Sequence, residues 1–304
     1  MKTRKLGRSN LEVSTIGLGC MSLGTNEQEA IAILETAIDR GINYLDTADL
    51  YDQGLNEEFV GKALKGKRDQ VILATKVGNR FERGVSGWSW DPSKKHIMSA
   101  VKDSLSRLKT DYIDLYQLHG GTIDDPIDET IEAFEQLKDE GLIREYGISS
   151  IRPNVIREYV KRSNIVSVMM QYSLLDRRPE ELFPFLEEHQ VSVVARGPVA
   201  KGILTERTFD NLPDKIKKNG YLNYSAQELR ETRIALYEMK QQHTMNELAL
   251  TYCLSRPTVA SVIAGASSLT QLIENIDASQ VFLPESFQKQ LSTLTKQDLY
   301  KDHR

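Results

Sequence analysis

Asp46, Tyr51, Lys76 and His119 carry side chains that can hold, donate or orient a proton. Each stands at or just after an apolar, strand-like run. Asp46 follows Ile42–Leu45, Lys76 closes Val71–Lys76 and His119 closes Ile113–His119. Tyr51 lies one short loop beyond Asp46, in GINYLDTADLYDQGLNEE (41–58). Singly, each has a bland explanation: an aspartate caps a loop, a tyrosine packs half-buried, a lysine snorkels and a histidine satisfies a core hydrogen bond. Together they suit delivery of a proton to an oxygen while another group delivers hydride. A phenol, with a reference pKa of about 10, needs assistance to act as an acid at neutral pH. A lysine cation beside a phenol favours the phenolate, and an aspartate can hold that lysine in place and charged. A histidine can orient a carbonyl oxygen or share the proton. A metal site built from Asp46, Asp49 and His119 is opposed by Lys76, whose cation repels a divalent ion in a low-dielectric pocket. A serine-hydrolase reading finds no nucleophile-elbow sequence.

Side chains so far apart in sequence need a scaffold that gathers strand ends. Apolar runs recur at Ser14–Gly19, Ile42–Leu45, Val71–Lys76, Ile113–His119, Ile143–Ser149, Val166–Tyr172, Val191–Ala195 and Val259–Ala264. Helical patterns separate them at Glu27–Arg40, Glu57–Leu64, Lys94–Leu108, Ile127–Glu140, Val155–Arg162 and Pro179–Gln190. Continuous β-branched runs such as Val191–Val194 read as strands buried on both faces. This alternation predicts an α/β fold, a (β/α)8 TIM barrel, with 1–304 forming a single domain. An N-terminal β-hairpin over residues 2–12 is expected to precede it as a lid. Extra C-terminal helices are expected at Ala226–Gln242, Met245–Ser255 and Glu285–Leu294. A doubly wound open sheet is the runner-up, and Gly17-Leu-Gly19-Cys-Met-Ser22 lacks the third glycine of a dinucleotide fingerprint.

In a barrel, the carboxyl ends of the strands share one rim, where active sites sit. That rim gathers Gly19-Cys20, Asp46, Lys76, His119, Ser149, Gln171, Arg196 and Gly265. Two long loops open on the same face, Gly78–Pro92 and Gly202–Tyr224. Trp88, Trp90 and Tyr224 from these loops are expected to border a substrate mouth.

The chain has 304 residues, 40% hydrophobic and 27% charged, with net charge −4. That composition is ordinary for a soluble globular protein and argues against nucleic-acid or membrane-surface partners. No signal-peptide pattern and no apolar run of membrane-spanning length occur. Cys20 and Cys253 stand far apart and offer neither a disulfide framework nor a cysteine zinc site. The expectation is a cytoplasmic protein without a metal.

The motifs together resemble the aldo-keto reductase family over nearly the whole chain. They are GINYLDTADLY (41–51), LATK ending at Lys76, DLYQLH ending at His119, GISS (147–150), MMQYSLLDR (169–177), GPVAKGIL (197–204) and AGASSLTQLIEN (264–275). The resemblance implies that Asp46, Tyr51, Lys76 and His119 form the catalytic tetrad, with Tyr51 the proton donor. It implies NADPH, with NADH as the alternative, extended across the rim beside Cys20, Met21 and Asp46. Ser149 and Gln171 are implied to hold the carboxamide, and Arg196, Gly197, Pro198, Val199, Lys201 and Gly202 to cover the pyrophosphate. Gly265, Ser267, Gln271, Glu274 and Asn275 are implied to hold the adenosine end, at the start of a helix whose amides favour phosphate. The chain departs from the family pattern with Ser150 in place of the usual Asn. Arg196 stands where many members stack an aromatic ring, and Gly265 and Gln271 where some place a cation.

The leading reading is therefore an enzyme reducing aldehydes or ketones, its partner a small-molecule carbonyl substrate. A cofactor-binding sensor or auxiliary subunit with incidental turnover is the reading from another class, and a metal-dependent barrel hydrolase is the third.

Overall fold

The aliphatic runs form strands because both faces of each are covered, one by the barrel interior and one by helices. The computed structural model describes residues 1–304. A hairpin comes first, β1 (Thr3–Lys5) and β2 (Glu12–Ser14), with Thr3 opposite Ser14. Next are β3 (Ile16–Gly19), β4 (Tyr44–Asp46) and β5 (Ile72–Val77), then a small antiparallel ribbon, β6 (Asn79–Arg80) and β7 (Ser89–Trp90). The chain continues through β8 (Ile113–Leu118), β9 (Ile143–Ser149), β10 (Ser167–Gln171), β11 (Ser192–Arg196) and β12 (Val259–Gly265). Apart from the hairpin and the ribbon, these strands pair in parallel and close into an eight-stranded barrel when β12 meets β3, Gly265 opposite Gly19. The strands predicted from the sequence are those of the barrel.

Alternation sorts each strand's side chains between two layers. Tyr44, Ala74, Leu115, Met169, Val194, Ala260 and Ile263 pack inside the barrel, while Leu45, Leu73 and Leu118 join the cluster beneath the helices. Helices Glu27–Asp39, Leu55–Ala63, Lys94–Leu108, Ile127–Asp139 and Pro153–Arg162 follow successive strands and bury one stripe each. The helix expected at Pro179–Gln190 is instead a 3-10 turn, Arg178–Leu182, and a short helix, Phe183–Glu188. Pro184 lacks an N–H to donate and fits only at a helix start, so the pattern splits there. No helix is long and apolar enough to cross a membrane.

The hairpin is a plug at the far end and does not cover the rim. Its Leu6 and Val13 are fully buried in the interior cluster. The Gly7 N–H donates to Ser192 Oγ at 2.8 Å, at the amino end of β11. A Cβ on Gly7 would meet the Val166 carbonyl oxygen at 2.2 Å, so only glycine lets the turn approach the barrel floor. Arg4 fixes the hairpin further, donating to the carbonyls of Leu254, Arg256 and Val259.

Charge is buried between barrel and helices directly behind the site. Glu57 is fully buried and accepts from Thr75 Oγ1 and from Arg107 Nε, each at 2.6 Å. Asp49 is 2% exposed, and its Oδ1 has no hydrogen-bond partner. Burial, reinforced by the neighbouring Glu57 carboxylate, pushes the Asp49 carboxyl up to about 8. A carboxyl raised in the fold binds its proton more tightly there than in the unfolded chain. Stability is therefore highest below the unfolded value of about 3.9 and falls as pH rises through 8. Asp49→Asn removes that titration. Its urea midpoint relative to the parent protein should climb between pH 4 and pH 8 and level off above; a difference independent of pH would show that Asp49 ionises normally.

Candidate active site

The carboxyl ends of β4 and β5 lie side by side, with Asp46 in register with Ala74, and their side chains meet inside the rim. Lys76 Nζ lies 2.6 Å from Asp46 Oδ2, 2.6 Å from the Thr47 carbonyl oxygen and 3.3 Å from Tyr51 Oη. Tyr51 comes from the turn after β4 and stands edge-on to His119, ring centroids 5.8 Å apart. His119 follows β8 and is anchored by its N–H on the Val77 carbonyl, 2.7 Å away. The structure thus brings Asp46, Tyr51, Lys76 and His119 into one group at the rim.

The ion pair is almost entirely withdrawn from bulk water, since Lys76 is fully buried and Asp46 is 3% exposed. Burial opposes charge on both. For Asp46 burial outweighs its donors and lifts the carboxyl above the usual aspartate range. Burial alone would lower Lys76, but attraction to Asp46 and Tyr51 prevails, and the ammonium lies above the usual lysine range. Gln117 supplies the second donor to Asp46, Nε2 to Oδ1 at 3.1 Å. His119 is pushed down to about 3 by burial, then by Lys76 and Arg196. It is therefore a neutral imidazole at working pH, able to donate or accept a hydrogen bond but carrying no charge.

The rim opens into a cavity of about 1480 Å³, larger than the ~300–1,000 Å³ of a pocket for one drug-sized ligand. Near the ion pair it is lined by Gly19, Met21, Tyr51, His119, Ser149, Gln171 and Arg196. Gln171 donates to Asp176 Oδ2 at 2.8 Å and to Tyr221 Oη at 3.2 Å, and accepts from Arg196 Nη1 at 3.4 Å. Asp176 in turn receives both arms of Arg178, at 2.7 and 2.8 Å. Along the cavity, Gly197, Ala200, Lys201 and Gly202 all have positive φ. Val199, at φ −91° and ψ 12°, precedes Ala200 at φ 47°, the right-handed-then-left-handed succession from which concave backbone nests that take phosphate oxygens are built. Gly197, Pro198, Val199, Lys201 and Gly202 line that wall, and Gly265, Gln271, Glu274 and Asn275 line the far end. An extended dinucleotide fits this arrangement: polar amide groups near the ion pair, a backbone nest midway, and helix Leu269–Gln280 beyond.

Several expected residues lie elsewhere. Cys20 is fully buried with its Sγ directed to the Leu18 carbonyl at 3.7 Å, outside the cavity wall. Ser267 also stands off the wall, its N–H and Oγ both directed to Gln271 Oε1. Trp88 is 59% exposed. Trp90 packs behind the rim against Gly78 and Gly120, its Nε1 donating to Asp125 at 3.1 Å. Tyr224 is buried, its hydroxyl accepting the Lys296 N–H, and Tyr221 lines the cavity in its place. Three contributions went unread in the sequence. Gln117 was legible in principle, since it lies two residues before His119, where strand alternation turns it to the same face. Glu206 and Arg207, and the tail residues Tyr300–His303, reach the cavity through loops with no periodic signal.

Comparison with known proteins agrees with this geometry. The Aldo/keto reductase family profile matches residues 15–296. A Bacillus subtilis (strain 168) protein named "Uncharacterized oxidoreductase YqkF" is 63% identical, with both chains covered in full. "Probable aldo-keto reductase 1" of Glycine max is 32% identical over 92% of this chain and 85% of its own. Among solved structures, aldo-keto reductase AKR11C1 from Bacillus halodurans in its holo form superposes with a TM-score of 0.95. It is 62% identical, with 100% of this chain and 99% of that one covered. Barrel, rim constellation and profile converge: the chain belongs to the aldo-keto reductase family and is a nicotinamide-dependent oxidoreductase.

Proposed function

We propose that the enzyme reduces aldehydes or ketones to alcohols with NADPH, and that Tyr51 delivers the proton. The observation that carries this reading is the Lys76 ammonium, 2.6 Å from Asp46 and 3.3 Å from the Tyr51 hydroxyl on the wall of the large cavity. The cofactor, when bound, supplies the hydride. The chain's own residues manage the oxygen. Neutral His119 directs a hydrogen bond at the substrate carbonyl and orients it toward Tyr51. As the carbonyl carbon gains hydride, its oxygen becomes basic and takes the Tyr51 proton. The phenolate left behind is stabilised by Lys76, and Asp46 keeps that cation fixed and charged. Ser149 and Gln171 would hold the carboxamide, the Gly197–Gly202 segment the pyrophosphate, and Gly265, Gln271, Glu274 and Asn275 the adenosine end. The choice of NADPH rests on the family resemblance.

An aldehyde and ketone panel followed by cofactor absorbance, run with NADPH and with NADH, tests the reaction and the cofactor together. Turnover should be faster with NADPH; absence of turnover with either cofactor would refute the reading. Tyr51→Phe should retain fold and NADPH binding while losing about 10²-fold or more in kcat, the range for removing a general acid. Lys76→Met should lose a similar factor, and the double variant little more, because groups acting as a unit are not additive. Carbonyl reduction at the parental rate by Tyr51→Phe would assign the proton elsewhere. With His119 held at about 3, a pH–rate profile should show no histidine limb between pH 5 and 8. His119→Ala should raise KM as well as lower kcat, while leaving that window equally flat.

A further inference from the structure

Directly after Tyr51 the backbone takes a conformation that its residues do not favour. Asp52 has φ 49°, ψ 36° and Gln53 has φ 54°, ψ 45°, two consecutive left-handed residues that are not glycine. Gly54 follows at φ 87°. Left-handed geometry crowds Cβ against the carbonyl oxygen, and two such residues in a row persist only where surroundings impose them.

The surroundings come from two sides. Behind the turn, a Cβ on Gly54 would lie 2.7 Å from Arg107 Cδ, so the backbone rests on the arginine stem. Arg107 is itself tied to buried Glu57 at 2.6 Å, which fixes the start of helix Leu55–Ala63. In front, the loop after β6 closes on Gln53 with three hydrogen bonds. Arg83 Nε donates to the Gln53 carbonyl at 3.0 Å, the Gly84 N–H to Gln53 Oε1 at 2.8 Å, and Gln53 Nε2 to the Val85 carbonyl at 2.7 Å. Arg83 also pairs with Glu58 at 2.6 Å, which secures the loop to the same helix.

We propose that Arg83–Val85 is a clamp that positions Tyr51. By gripping both the backbone and the side-chain amide of Gln53, it holds the left-handed turn that keeps the Tyr51 hydroxyl beside Lys76. The helix side of the turn is immobilised by Arg107 and Glu57. Any relaxation of Gln53 toward the right-handed region is therefore taken up on the Leu50–Tyr51 side, where the phenol moves away from the ammonium. Arg83 and Gln53 are positioning residues, remote from the reacting atoms, and the inference rests on the proposed role of Tyr51.

Backbone strain and side-chain grip can be separated by substitution, because glycine adopts the left-handed turn without a clamp. Parental turnover is measured first: its absence defeats the functional reading itself. With the parent active, Gln53→Ala should lower kcat by roughly tenfold or more, as small misplacements of a reacting group do, with cofactor affinity by fluorescence titration unchanged. Gln53→Gly, which loses the same two side-chain hydrogen bonds of the grip but relieves the strain, should regain most of that loss. Arg83→Ala should resemble Gln53→Ala, and should add nothing in the Gln53→Gly background. In a Tyr51→Phe background, Gln53→Ala should have no further effect on kcat, since the clamp acts through the hydroxyl. Parental kcat in Gln53→Ala, equal impairment of Gln53→Gly and Gln53→Ala, or a full additional loss in the Tyr51→Phe background would each overturn the proposal. Thermal unfolding of every variant accompanies the kinetics, so that a general loss of fold is recognised as such.

Discussion

The ion pair between Lys76 and Asp46 is the constraint to which much of the structure answers. Two opposite charges sealed from water at 2.6 Å are stable only when geometry and remaining hydrogen-bond capacity are both provided. Adjacent parallel strands provide the geometry. The Thr47 carbonyl takes a second ammonium proton, and the Gln117 amide takes the other carboxylate oxygen. The Thr47 side chain donates to Asn56, whose amide reaches the Cys20 carbonyl, so the chain just after Asp46 is fastened to helix Leu55–Ala63 and to the turn after β3. What is left of the ammonium's capacity faces the phenol. Cysteine at position 20 serves this scaffold as a small buried hydrophobe, which accounts for its absence from the cavity wall.

The two ends of the barrel are built from opposite materials. At the amino end, Leu6 and Val13 of the hairpin continue the apolar interior and exclude water. At the carboxyl end the strands stop in Asp46, His119 (one residue past β8), Ser149, Gln171 and Arg196, and the polar groups are linked across neighbouring strands. Gln171 and Arg196 are register partners on β10 and β11, and Gln171 extends their contact through Asp176 to Arg178 and directly to Tyr221. The barrel thus separates stability from chemistry along its axis, as barrels generally do.

How much of this was readable from the sequence depends on the range of the interaction that decided each feature. The barrel strands were readable because continuous burial writes itself as unbroken Val, Ile and Leu, as in Val191–Val194. Asp46, Lys76 and His119 were readable because polar residues at the ends of such runs are conspicuous. Tyr51 needed the resemblance as well, since nothing local separates it from a packing tyrosine. The helix at Pro179–Gln190 failed on Pro184, where a local rule overrode an apolar period. Trp90 was misplaced for a different reason: its position is set by glycines at 78 and 120 that leave room behind the rim, a long-range fit with no local signature. The left-handed turn at Asp52–Gln53 was equally hidden, because the residues that impose it arrive from a loop some thirty positions later.

The plugged amino end also governs traffic. With Leu6 and Val13 sealing the barrel floor, molecules enter and leave by the carboxyl rim. The nest at Gly197–Gly202 and the helix at Leu269–Gln280 occupy one long wall of the cavity, while the ion pair lies at its base. A long occupant stretched along that wall and a small one seated above the ion pair share a single doorway. In such a vessel every exchange passes one mouth, so the residues around that mouth act on arrivals and departures alike.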